Sequence, residues 1–185
     1  MSTSTKLRKT YSGIFGNQVV LKNVKSNSVM TMKPLKPAKE LSVKQLVARQ
    51  RFQCAIDYAR RMMQDPVLLA KYKAKAGPGK TAFRLAVKDF MNPPMVLEID
   101  ASGYHGNAGE VISVKALDDF ELASVRVNIT AADGTLVEEG DCLLNLPAVR
   151  YHYTATVQVT DITGATITAI ARDLPDNATE LTVAL

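Results

Sequence analysis

The chain contains no tryptophan, two cysteines, two histidines and only 6% aromatic residues. Two cysteines cannot build a disulfide-dense scaffold. Cys54 and Cys142 also fall in halves that read as separately folded, so both are expected to be small, half-buried apolar groups. His105 and His152, without a nearby cysteine pair, do not make a zinc site. No apolar run approaches the roughly 18 residues of a membrane-spanning helix. The opening Met-Ser-Thr-Ser-Thr-Lys-Leu-Arg-Lys is basic but leads into no apolar segment, so no cleavable secretory signal is expected. Synthesis in the cytoplasm follows as the expectation, with later incorporation into an assembled or exported particle left open.

Acidic residues are also scarce, but only in the first half. Residues 1–90 carry 19 Lys and Arg against 4 Asp and Glu, whereas residues 91–185 carry 4 against 14. So sharp a division places a boundary near Asn92-Pro93-Pro94. A basic half has two uses. It can hold a polyanion, with steep salt dependence from counterion release, or it can meet the acidic half of a second copy. Lys22, Lys25, Arg49, Arg60 and Arg61 are the candidate basic contacts, and Asp118 and Asp119 the acidic ones. No helix-turn-helix, zinc or RNA-recognition signature supports the polyanion, and aromatics for base stacking are few.

The chain does carry clear periodicities. Residues 10–33 read as a β-hairpin, with Val19, Val20, Leu21, Val24, Val29, Met30 and Met32 apolar and Gly13, Gly16, Asn17 and Lys25-Ser26-Asn27-Ser28 in turns. Such a ribbon is marginal alone and needs something to lie on. Lys33-Pro34-Leu35-Lys36-Pro37 reads as an extended linker. Ser42 and Gln45 then form a capping-box pattern, and Ala48, Phe52, Ala55, Ile56, Ala59 and Met63 make one helical stripe. Asp65-Pro66 starts a second helix, and Thr81–Met91 forms a third with Phe83, Ala86, Val87 and Phe90 on one face. From Met95 the period changes to two, with strands expected at 95–100, 110–117, 123–130, 135–139, 150–159, 165–172 and 178–184.

Several patterns invite a chemical reading and fall short of it. Gly77-Pro78-Gly79-Lys80-Thr81 resembles the end of a phosphate loop, but Ala74 stands where the first glycine belongs, and a helix precedes it. It reads as a helix–helix turn. Asp100, Glu110, Asp118, Asp119, Asp173, Asp176 and Asn177 sit at turns that a sandwich can gather at its ends, where calcium binds in some modules. No loop has EF-hand spacing, and solvated turn residues are the expected role. No nucleophile–base–orienter set can be assembled from this chain, so no catalytic residue, cofactor, metal or small-molecule substrate is assigned.

Two partial resemblances follow. Gly13-x-x-Gly16-Asn17-x-Val19-Val20 with Ser42-x-x-Gln45-x-x-x-Arg49-x-x-Phe52 resembles an uncharacterised bacterial family that joins a glycine-rich hairpin to such a helix. The second half, especially its closing Ala171-Arg172-Asp173-Leu174-Pro175-Asp176-Asn177, is similar to bacterial immunoglobulin-like modules. The resemblance implies roles in adhesion, spacing or assembly. The expected fold class is therefore α+β. A β-hairpin arm and linker (1–40) precede a helical region (41–93) and an all-β immunoglobulin-like sandwich (94–185). The expected function is non-enzymatic self-assembly, or docking into a larger particle or filament, through the basic arm. The alternative is nucleic-acid binding by the same half.

Overall fold

The computed structural model describes residues 12–16, 18–24, 27–33, 40–146 and 149–185. The chain divides into two compact units, Met1–Val43 and Lys44–Leu185. It is mixed α+β and mostly β, with three helices and eleven strands in three antiparallel sheets among the described residues.

In the first unit the expected hairpin is a three-stranded meander: β1 (Gly13–Phe15), β2 (Val19–Val24) and β3 (Asn27–Met32). Gly16, at φ 56°, turns the chain from β1 into β2; only glycine adopts this conformation at little cost. Val19 stands opposite Met32 and Leu21 opposite Met30, so these four share one face of the sheet. Residues 34–37 of the expected linker, and Lys25, lie outside the described residues.

In the second unit, α1 (Val43–Gln64), α2 (Pro66–Lys75) and α3 (Ala82–Met91) follow the sequence signals closely. Asp65 caps α2 by accepting from the Val67 and Leu68 amides, with Pro66 in the first turn. Thr81 caps α3 by accepting from the Arg84 amide. The Gly77–Thr81 stretch is the expected inter-helix turn, closed by Lys80 N–H donating to Gly77 C=O at 3.0 Å. The stripe on α1 is buried only in its second half, at Ala55, Tyr58 and Ala59; residues 42–54 are exposed. Phe52, on the expected buried face, is 50% exposed. On α3 the fully buried positions are Ala82, Ala86 and Asp89, and the expected Phe83, Val87 and Phe90 are partly buried against the same core.

Four antiparallel hairpins complete the unit: β4 (Met95–Asp100) with β5 (Val111–Leu117), β6 (Leu122–Thr130) with β7 (Leu136–Asp141), β8 (Leu143–Asn145) with β9 (Arg150–Thr154), and β10 (Thr166–Asp173) with β11 (Ala178–Ala184). They alternate between two four-stranded sheets, ordered β4-β5-β9-β8 and β11-β10-β6-β7. Period-two burial runs through β5, β6 and β10. Ile112, Val114, Val125, Val127, Ile129 and Ile167, drawn from both sheets, form one core. A second core joins the helices to the end of this two-sheet body. Tyr58, Tyr72 and Ala86 pack with Phe120 from the β5–β6 loop and Leu174 beyond β10. The Tyr72 and Phe120 rings stack at 4.2 Å.

Two strand expectations need correction. β8 lies at Leu143–Asn145, where no strand is expected. The expected strand 150–159 ends at Thr154, because the Glu138 carboxylate takes the amides of Thr156 and Val157 that a ladder would have used.

Candidate functional site

The basic candidates lie on the surface. Lys22 is exposed on β2, and Arg49, Arg60 and Arg61 are exposed on α1, where Arg60 pairs with Asp57 at 3.0 Å. Of the acidic candidates, Asp119 is exposed and Asp118 partly buried. Asp119 bonds Lys88 at 2.9 Å and the Asn92 amide at 2.7 Å, both within its own unit. Lys71 and Glu121 add a second pair of this kind at 2.8 Å. Basic helices and acidic loops therefore meet inside one copy at this junction.

Asp118 belongs to a different constellation. Asp89, Asp118 and Asp173 offer carboxylate oxygens that all lie within 4.8 Å of one another. Each acid continues the buried phase of its element. Asp89 follows Ala82 and Ala86 on α3, and Asp118 comes two residues beyond Ala116, the last buried residue of β5. Asp173 follows Ile167, Ala169 and Ala171 on β10. Helix and strand periodicity therefore aim three carboxylates inward at one place. Asp89 is 1% exposed and Asp173 2%.

The cluster is held rigidly. Tyr72 donates its hydroxyl to Asp89 Oδ2 at 2.6 Å, and the Tyr58 and Tyr72 hydroxyls lie 3.0 Å apart. Asp118 Oδ2 accepts from the amides of Phe120 and Glu121 at 2.7 and 2.8 Å. Asp173 accepts from the amide and the side chain of Asn177 at 2.6 and 2.7 Å. Asp89 Oδ1 and Asp118 Oδ1 are buried and have no hydrogen-bond partner. Burial pushes the Asp89 carboxyl up to about 7; the Tyr72 bond and Lys75 oppose the shift, while Asp118 and Asp173 add to it. Burial also raises Asp173, against its bonds to Asn177. Lys75 itself donates to the Phe120 carbonyl and lies over that ring.

The other turn acids have local work. Asp100 accepts from Ser102, and Asp176 pairs with Arg172. The Asn107 side chain and the His105 and Asn107 amides hold Glu110 down to about 2. Both cysteines are free thiols, and burial pushes Cys142 up to about 12. His152 lies 3.2 Å from the Asn145 amide. One further buried acid escaped the sequence reading. Glu138 accepts from Tyr153, the Thr156 amide and hydroxyl, and the Val157 amide, and so pins the segment after β9. Burial pushes Glu138 up, but these donors prevail and hold it below the usual carboxylate range.

Among the described residues no helix is long and apolar enough to cross a membrane. No protein-family model matches the chain, and comparison with curated proteins finds no match.

Proposed function

We propose that this chain is a non-enzymatic structural protein that assembles with further copies of itself through its basic first third. One observation carries this reading: an apolar sheet face, Val19, Leu21, Met30 and Met32, on which Met30 is 69% and Met32 85% exposed. A three-stranded sheet gains independent stability when such a face is covered. The bare first half of α1 adds Val43, Val47 and Phe52 to the exposed apolar surface.

The occupant we favour is a second copy. Edge strands β7 and β8 carry exposed Leu136, Leu143 and Leu144, and β7 also carries Glu139 and Asp141, both paired with Arg126. Arg126 offsets one of those two charges, and the remaining negative charge on this edge is opposite in sign to the arm's. The finer reading of the body as an immunoglobulin-like sandwich draws support from strand order. β4-β5-β9-β8 follows the A-B-E-D pattern, and β11-β10-β6-β7 follows G-F-C-C′. Exposed Lys22, Arg49 and Arg61 keep nucleic acid as the second reading.

Light scattering on the full chain tests the proposal. The wild type is expected to form oligomers, and Met30→Asp combined with Met32→Asp to give monomers. A wild-type monomer at every concentration, shifting only when DNA is added, supports the nucleic-acid reading instead.

A further inference from the structure

We propose that Asp89, Asp118 and Asp173 form a binding site for a hard divalent cation of the calcium–magnesium class, which ties α3 to the ends of β5 and β10. The argument begins with what a buried acid requires. A carboxylate removed from water needs hydrogen bonds, a counter-charge or a metal. Here three acids converge, and two of their oxygens, Asp89 Oδ1 and Asp118 Oδ1, are buried without any partner. Asp89 is 99% hidden, keeps one carboxylate oxygen without a partner, and belongs to a cluster of like charge. One shared proton can bridge one pair of oxygens; it does not offset the third carboxylate.

The geometry suits a metal ion. Calcium–oxygen bonds are about 2.3–2.6 Å, so two ligands of one ion stand at most about 5 Å apart. The three carboxylates meet that limit, at 4.8 Å or less. Their remaining bonds orient them: Tyr72 holds Asp89, the Phe120 and Glu121 amides hold Asp118, and Asn177 holds Asp173. Outer-shell donors of this kind preorganise metal ligands. An all-oxygen set without histidine or cysteine selects calcium or magnesium over zinc or copper. Asp118 also lines an open cleft of about 490 Å³ with Asn92, Pro93 and Leu117.

The test uses the full chain, freed of metal by a chelator and titrated with CaCl2 and, separately, MgCl2 by calorimetry and thermal unfolding. One of the two salts is expected to bind saturably at one site. At a hundred-fold excess over Kd it should raise Tm by roughly 5–10 °C. Asp89→Asn and Asp118→Asn should each lose at least about ten-fold in affinity, whereas Asp100→Asn, on an exposed turn, keeps it. If Asp89→Asn does not fold, Asp118→Asn supplies the same comparison. The proposal is overturned if neither salt binds, or if binding survives in the folded Asp89→Asn or Asp118→Asn protein.

Discussion

At the scale of single residues, Asp89 has the most consequential environment. Burial pushes its carboxyl up to about 7 from an ordinary value of 3.8. Between those values the folded chain keeps a proton that the unfolded chain releases. Stability therefore falls as pH rises from about 4 to about 7 and levels off above that. Asp173 is shifted in the same direction, and Glu110, held low, matters only in more acid solution. At about 1.4 kcal/mol per pKa unit the Asp89 contribution is at most roughly 4 kcal/mol. Urea titrations in chelator at pH 5 and pH 8 should show the wild type weaker at pH 8. Asp89→Asn should lose most of that difference. A saturating cation keeps the carboxylates ionised and should flatten the slope. These residues carried a signal in the sequence: each stands in the inward phase of its helix or strand. What hid them is that an acid in an apolar phase reads as the end of the element, and three such ends share no local spacing. Asp118 and Asp173 were legible as turn acids; their meeting with Asp89 depends on how the helices cap the body.

At the scale of elements, the helix starts were fully legible, because Asp65-Pro66 and Thr81 act through bonds two or three residues away. The extent of burial was not. The stripe on α1 is continuous in sequence, yet the residues of α1 that are fully buried all lie in its second half. Two aromatic truncations measure the difference. Phe120 is buried, stacked on Tyr72 and covered by Lys75, so Phe120→Ala should cost about 3–5 kcal/mol. Phe52 is half-exposed, so Phe52→Ala should cost about 1 kcal/mol or less in the monomer. Urea denaturation at low protein concentration checks both, and equal losses would contradict the packing described here. The strands were legible from period two in β5, β6 and β10. Short β8, and the end of β9 at Thr154, were not, because a distant carboxylate, Glu138, replaces ladder bonds there.

At the scale of the whole molecule, the charge division was visible in composition alone, but composition does not say whether opposite charges meet within a copy or between copies. Both Lys88–Asp119 and Lys71–Glu121 lie within one unit, so part of the division is satisfied internally. These pairs are partly exposed and weak, on the order of 0.2–1 kcal/mol each. What they leave over is the apolar face of the N-terminal sheet and the bare turns of α1, and the account rests on these being covered by another copy. Hydrogen–deuterium exchange across a hundred-fold range of protein concentration examines that most directly. Amides in residues 18–33 and 43–54 are expected to gain protection as concentration rises, together with those of β7 and β8, while β5, β6 and β10 stay unchanged. Protection that is the same at every concentration throughout the chain would contradict it.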